Sequence, residues 1–229
     1  MKENIVASKN PQTVTIYGRL SWPVWTHKQA VERNAKGKFP QPPENVTAEF
    51  NLLVDQAQLD KLITHLRDEF LPFTLAQFQA GEKKNALEPK QVDKLLKQLE
   101  AADWESQPPY IPIKLVPEKS AELAPDAVAM IKIKGPRQQD IEQKAIVTSE
   151  DELVVPDPDI LTYPVVRPIS QTVHSMYGGA YVAATLNLYA FISGTLPGYS
   201  ASAGVAVFKA DGERFGGGVD VDEDEIFLD

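Results

Sequence analysis

The stretch that decides the fold is residues 180–192, which read AYVAATLNLYAFI. Apolar residues recur at every second position, which predicts a long β-strand with one face in the core. The predicted core face comprises Val182, Ala184, Leu186, Leu188, Ala190 and Ile192. The opposite face comprises Tyr181, Ala183, Thr185, Asn187, Tyr189 and Phe191. A strand of this length with a buried face requires partner strands elsewhere in the chain.

Four further segments are predicted as strands: residues 13–20, 45–54, 127–134 and 203–209. The first three alternate polar with apolar side chains, as half-buried strands do. The last one ends in a turn at Asp211 and Gly212. Residues 149–168 contain four prolines and several acids, which predicts an extended surface connection with short strands.

The apolar period changes to that of a helix after the second predicted strand. Residues 56–70 have an apolar stripe at helical spacing, with Asp55 as the N-cap. A second helix begins at Pro89 and ends near Trp104. Strands at both ends of the chain with helices inserted after the second strand predict a small β-barrel decorated by helices, an α+β fold.

The composition excludes several classes of protein. A chain of 229 residues can form one or two domains with a substantial core. The absence of cysteine excludes disulfides, thiolate catalysis and Cys-based metal sites. The N-terminus lacks a long apolar segment, and no apolar run is long enough to cross a membrane. We expect a soluble, cytoplasmic protein with no membrane partner.

The last ten residues, DVDEDEIFLD, carry six carboxylates: Asp220, Asp222, Glu223, Asp224, Glu225 and Asp229. The net charge of the chain is -9, so subtracting these -6 leaves -3 for residues 1–219. A nearly neutral body can still carry a basic surface for an anionic ligand. Like charges repel, so the segment is predicted to be a mobile tail after a glycine hinge at residues 216–218. The tail could be merely solubilising, or its apolar end could dock on partner proteins.

Catalysis has little support in the sequence. The chain has three histidines and no Gly-x-Ser-x-Gly elbow, P-loop or strand-anchored Gly-x-Gly-x-x-Gly. Asp220, Asp222 and Asp224 have the spacing of a calcium loop, but the central glycine and the terminal glutamate are missing. We therefore predict no enzyme, no cofactor and no metal site.

The pattern of charges and aromatic residues points to nucleic acid instead. Proteins that bind single strands combine cations along the phosphates with aromatic faces on which bases stack. Three places supply these groups: a predicted loop at residues 22–43 with a net charge of +3 and three aromatic residues, the lysine face of residues 127–134, and the aromatic outer face of residues 180–192. The candidate DNA-binding residues are Trp22, Trp25, Lys28, Arg33, Lys36, Lys38, Phe39, Lys132, Lys134, Tyr181, Tyr189, Phe191, Lys209 and Arg214.

Each of these places also has a purely structural interpretation. Trp22 and Trp25 could plug an end of the barrel. The face that carries Tyr181 could pack under the helices. Lys132 and Lys134 could form a solvated sheet edge. The three places together with the acidic tail favour binding of single-stranded DNA.

Two motifs near the C-terminal end resemble a known family. Residues 177–184, YGGAYVAA, and residues 211–217, DGERFGG, followed by the acidic end, are similar to tailed-phage single-stranded DNA-binding proteins, including the podophage replication type. The resemblance implies an OB-fold, a five-stranded Greek-key barrel whose groove takes oligonucleotides. It also implies a tail that competes with DNA for the groove and recruits replication or recombination proteins such as polymerase or helicase. Residues 222–229 would be the tail motif and Phe227 its aromatic anchor, although Leu228 and Asp229 follow where such tails often end.

The sequence thus predicts a sequence-independent single-stranded DNA-binding protein of phage replication or recombination. Residues 1–215 would form the OB-fold domain, with a helical insertion at 56–104, and residues 216–229 the hinge and tail. The alternative is an interaction protein whose acidic tail mimics nucleic acid and which binds no DNA itself. A metal-dependent nuclease is the third interpretation. The oligomeric state stays open, a homodimer included.

Overall fold

The computed structural model describes residues 10–24, 27–37, 40, 42, 46, 49–102, 104, 110–134, 147–148 and 177–215. Its strands are β1 Thr13–Val24, β2 Glu49–Val54, β3 Ile113–Lys114, β4 Ala129–Lys134, β5 Val147–Thr148, β6 Tyr181–Ser193 and β7 Leu196–Ala210. Its α-helices are α1 His27–Ala35, α2 Gln56–His65, α3 Leu71–Gln79, α4 Pro89–Ala101 and α5 Glu118–Leu123.

Five of the strands form a closed barrel. β1 lies between β2 and β6, β4 pairs with the other edge of β2, and β7 pairs with β6. A parallel pairing of β4 with β7, at Ile133–Ala201 and Lys134–Ser202, closes the ring. The order around the barrel is β1, β2, β4, β7 and β6. Counted along the chain, these are the first, second, third, fifth and fourth barrel strands, which is the order of the five-stranded Greek key of an OB-fold. The predicted fold class is confirmed.

A short segment fills the rest of the seam between β4 and β7. β3 pairs antiparallel with β4, while Tyr110, three residues earlier, pairs with Gly198 of β7. The Tyr110 amide donates to the Pro197 carbonyl, and the Tyr110 carbonyl accepts from the Tyr199 amide. These bonds fix Tyr110 beside the outer end of the hairpin formed by β6 and β7.

The inward faces of the strands and the buried faces of α2, α3 and α4 share one apolar core. The ring of Phe70, next to α3, packs edge-on against Tyr199 of β7 with 6.0 Å between centroids. These helices therefore complete the core of the barrel. None of the described helices is long and apolar enough to cross a membrane.

The helices begin where the sequence predicts but do not all end there. Asp55 caps α2, since its carboxylate accepts a hydrogen bond of 2.8 Å from the Gln58 amide, and α4 begins at Pro89. The helix predicted to stop at residue 70 instead continues through a π-helical turn, Leu66–Phe70, into α3. Pro72 is the second residue of α3 and directly follows the π-helical turn, where the hydrogen-bond register of the helix changes.

The prediction of a loop at residues 22–43 is wrong in part. β1 continues to Val24 because Val24 pairs with Glu49 at the start of β2. α1 follows it, and its sequence HKQAVERNA contains no glycine or proline and is rich in good helix formers. The Pro and Gly residues that suggested a loop lie on either side of this helix. The structure describes β2 over Glu49–Val54, and the predicted start at residue 45 lies outside the described residues.

The β6–β7 hairpin extends beyond the rest of the barrel. The predicted core face of β6 is buried from Val182 to Leu188, whereas Ile192 is 48 % exposed. The Leu188 amide bonds to the Gln12 carbonyl, and beyond this point the hairpin leaves β1. β7 begins at Leu196 rather than at residue 203, because pairing with β6 holds its small and polar N-terminal half extended.

Several predictions fall outside the described residues. These are the surface connection at 149–168, the glycine hinge, the acidic tail, and the candidate residues Trp25, Lys38 and Phe39.

Candidate nucleic-acid interface

Three aromatic rings form a row on the outside of the barrel, near the outer end of the β6–β7 hairpin. The centroids of Tyr189 and Phe191 are 6.3 Å apart, and those of Phe191 and Tyr110 are 6.2 Å apart. Tyr110 is 38 % exposed, and the other two rings are half-buried. We call these three residues the aromatic row. Rings held at this spacing offer faces on which successive bases can stack.

The local sequence explains how the row forms. Tyr189 and Phe191 are two residues apart on one strand, so both side chains lie on the same face. Gly198 of β7 pairs with Phe191 and has no side chain to obstruct its ring. A Cβ atom on Gly198 would lie 2.8 Å from Phe191 Cζ and 2.9 Å from Tyr110 Cβ. The glycine thus allows Phe191 to cross β7 and meet Tyr110.

Two predicted lysines continue this surface. Lys132 and Lys134 lie on the outer face of β4, and Lys134 Nζ is 6.0 Å from the centroid of the Tyr189 ring. β4 has β2 on one side and β3 and β7 on the other. The alternative in which this lysine pair marks a sheet edge is therefore wrong. The structure places cations next to aromatic faces, which is the combination that single-stranded DNA requires.

A third lysine, Lys114 of β3, lies near Lys132. Partial burial lowers the pKa of Lys114, and the positive charge of Lys132 lowers it further. Neither Lys114 nor Tyr110 is among the residues predicted from the sequence. Both belong to a proline-containing segment without a periodic pattern, and only its pairing with β4 and β7 brings it to this surface.

One carboxylate interrupts the basic surface. Glu49 Oε2 lies 2.9 Å from Lys132 Nζ, and Glu49 Oε1 lies 3.8 Å from Arg33 Nη1 of α1. Glu49 thereby brings together two predicted DNA-binding residues from different elements. Both basic side chains are about half exposed, so these ion pairs contribute little to stability. An anionic ligand that binds here competes with Glu49 for the same cations.

The segment before this surface is described only in part. Arg33 and Lys36 are exposed near the end of α1. Trp22 lies in β1 and Lys28 in α1, and for these two residues the description is confined to the backbone. The suggestion that Trp22 plugs a barrel end therefore stays a prediction, as does its role in stacking.

The remaining predicted residues lie at the other end of β6. Tyr181 and Tyr189 are eight residues apart, which at roughly 3.3 Å per residue is about 26 Å along the strand. The Tyr181 ring is exposed and faces the Arg19 guanidinium at 5.3 Å, so it does not pack under a helix. Lys209 and Arg214 also lie at this end, and Arg214 stacks over Tyr177 at 4.5 Å. The structure does not bring these residues to the aromatic row, and their role in binding DNA stays a prediction.

Arg19 holds this second end together. Its guanidinium donates to the carbonyls of Gly179 at 3.1 Å, Leu123 at 2.7 Å and Glu213 at 2.9 Å. It also lies 4.6 Å from the centroid of the Phe215 ring. One side chain of β1 thus joins α5, the turn before β6 and the segment after β7. The sequence gives no local signal for this role, because the three acceptors are backbone atoms distant along the chain.

The two motifs that carry the family resemblance pack against each other. The Tyr177 hydroxyl donates to Asp211 Oδ1 at 2.8 Å and accepts from the Gly212 amide at 3.1 Å. Burial raises the pKa of Tyr177, which keeps the hydroxyl protonated as a donor. Gly179 has φ +110°, and a Cβ there would collide with the Glu213 carbonyl oxygen. The motif residues therefore have a structural role: they fix the chain where it leaves β7.

The described residues offer no sign of a metal centre. Within them, no three carboxylate or histidine side chains group closely enough to hold an ion. His65 is buried, and its Nε2 donates to the Pro11 carbonyl at 2.9 Å, which is the structural role expected of a lone helical histidine.

No family model matches the sequence, and no curated protein matches it either. Among solved structures, the chain is similar to the single-stranded DNA-binding protein from bacteriophage Enc34 in complex with ssDNA, with 12 % identity over 90 % of each chain and a TM-score of 0.47. It is also similar to gp2.5, a single-stranded DNA-binding protein encoded by bacteriophage T7. That likeness has 11 % identity, covers 93 % of this chain and 96 % of the other, and has a TM-score of 0.44. At such identities no contact residue transfers to a position of this chain.

Proposed function

We propose that this protein binds single-stranded DNA without sequence preference in phage replication or recombination, and that it is not an enzyme. The observation that carries the proposal is the aromatic row running into Lys134 on the outer surface of an OB-fold barrel. In OB-folds the face of the second and third strands and the loop between the fourth and fifth bind oligonucleotides. Here these parts are β2, β4 and the β6–β7 hairpin.

The contacts suggest how a DNA strand would lie on this surface. Bases stack on Tyr189, Phe191 and Tyr110, while phosphates approach Lys134, Lys132 and Arg33 on the adjoining strands and helix. Every base has a π-face, so stacking does not distinguish one sequence from another. Phosphate contacts carry no sequence information either. Both kinds of contact therefore support general binding of single strands.

We further propose that residues 1–215 act as the binding domain, and that the acidic tail after the glycine hinge competes with DNA and recruits replication proteins, with Phe227 as an anchor. The position of Phe215 supports this idea. Its buried ring packs with Leu53 and Ala124 on the outside of β2. Leu53 is four residues from Glu49 along β2, or about 13 Å. Phe215, which directly precedes the predicted hinge, thus lies on the same face of β2 as Glu49, the ion-pair partner of Lys132.

The proposal is tested by titrating fluorescent oligo(dT) and a matched duplex with the whole chain and with a chain that ends at Gly218. We expect tight single-strand binding that weakens steeply with salt, because each phosphate contact releases counterions. We expect the shortened chain to bind more tightly at low salt, since a competing polyanion is gone. Equal affinities of the two chains would contradict competition by the tail, but they would leave the proposed binding of single strands intact. Absence of single-strand binding by both would contradict the function and leave the tail as a device for docking on proteins.

Glu49→Gln should raise the affinity for oligo(dT) about two- to fivefold at low salt. The substitution removes an ion-pair partner worth up to about 1 kcal/mol from Lys132 and Arg33, which then contact phosphate without a competitor. Fluorescence anisotropy measures the change. Glu100→Gln, at an exposed position of α4, makes the same change in charge away from this surface. An effect of Glu49→Gln no larger than that of Glu100→Gln would show that Glu49 does not compete with DNA.

A further inference from the structure

A second groove adjoins the aromatic row on the side of β6 away from β7. Its walls are residues 83–86, in the loop between α3 and α4, and residues 189–192 at the end of β6. The groove is open to solvent and has a volume of about 540 Å³, which is within the range of sites for small ligands. It contains Phe191 and Tyr189, and so shares two rings with the aromatic row.

The loop wall of this groove is firmly attached to the barrel. Asn85 Oδ1 accepts a hydrogen bond of 2.9 Å from the Ala190 amide. This amide belongs to the part of β6 beyond β1, where a strand edge would otherwise be unpaired. Asn85 adopts a left-handed conformation, with φ 53°, that asparagine tolerates better than most residues. Two residues later Leu87 is fully buried, and its amide donates to the Thr74 carbonyl at 3.2 Å.

This attachment presents two cations at the rim. Lys83 and Lys84 are exposed and directly precede Asn85. Among the residues that the structure describes, no carboxylate lies within ion-pair distance of either ammonium group. The rim is thus positively charged, and the opposite wall is aromatic. This is the combination that binds a phosphate and its base together.

We propose that this groove is a further segment of the single-stranded DNA path, with phosphates at Lys83 and Lys84 and a base against Phe191. The inference rests on the proposed function and extends it. The aromatic row would have cations on both sides, namely Lys134 across β7 and the two loop lysines beyond the edge of β6. A DNA strand that crosses the aromatic row therefore continues into the groove instead of ending at the β6–β7 hairpin.

The test compares the unaltered chain with Lys83→Ala/Lys84→Ala, using a series of oligo(dT) lengths at several salt concentrations. For long oligonucleotides we expect the slope of log affinity against log salt to fall by about 1.4, because each single-strand phosphate contact contributes about 0.7. We expect little change for the shortest oligonucleotide that still binds, since it need not enter the groove. Lys83→Arg/Lys84→Arg should restore the slope for long oligonucleotides.

The matched control is Lys90→Ala/Lys94→Ala, which removes the same charge from exposed positions of α4 that do not line the groove. Equal salt slopes in Lys83→Ala/Lys84→Ala and in this control, while the unaltered chain binds DNA, would show that the groove is not part of the DNA path. The proposed function would then stand. An equal reduction of the salt slope for short and long oligonucleotides would also contradict a DNA path through the groove, since the lysines would then act on the whole surface. No binding by the unaltered chain would overturn both ideas.

Discussion

Replacing both Tyr189 and Phe191 by leucine should weaken the binding of oligo(dT) about thirtyfold or more, because each aromatic stack on a base contributes about 1–3 kcal/mol. Leucine keeps an apolar side chain on the hairpin but offers no flat face. The two rings contact each other, and Phe191 also contacts Tyr110, so removing both eliminates the centre of the aromatic row. The equilibrium dissociation constant at fixed salt is the quantity to measure.

The salt dependence separates stacking from charge. The leucine variant loses no cation, so its salt slope should equal that of the unaltered chain, whereas Lys132→Ala/Lys134→Ala should reduce the slope. Tyr17→Leu and Phe78→Leu are suitable controls, since both side chains are exposed aromatics elsewhere on the surface. Affinity losses in these controls as large as in the leucine variant would contradict a dedicated aromatic row.

The second large effect is expected on stability. Arg19→Met should lower the free energy of unfolding by about 2–4 kcal/mol, since hydrogen bonds from a charged donor are each worth about 1.5–3 kcal/mol and part of the site remains open to water. Three carbonyls lose their donor, and the rings of Tyr181 and Phe215 lose the guanidinium between them. Urea unfolding followed by circular dichroism measures the change.

Two comparisons make the result on Arg19 interpretable. Arg67→Met removes an exposed arginine that pairs with its neighbour Asp68, and should cost less than about 1 kcal/mol. Arg19→Lys should be nearly as destabilising as Arg19→Met, because an ammonium group cannot donate to three separated carbonyls in the geometry of the guanidinium fork. A loss in Arg19→Met no larger than that in Arg67→Met would show that the three acceptors are satisfied by water instead.

Much of the fold follows from local sequence patterns. The alternation in residues 180–192 determined which side of β6 is buried, because side chains of a strand alternate between its faces. The same rule placed Lys132 and Lys134 together on the outer face of β4. Asp55 and Pro89 determined where α2 and α4 begin, since a capping oxygen and a fixed φ act on the residues next to them.

The interface was decided by tertiary structure. Tyr110 reaches Phe191 only because its segment fills the seam between β4 and β7, and because Gly198 has no side chain. Tyr181 shares a strand face with Tyr189, but the length of β6 separates the two rings. The contacts of Glu49 with Lys132 and Arg33 depend on how β2, β4 and α1 come together. Sequence patterns report which face a residue occupies, whereas strand pairing and register determine which distant residues meet on that face.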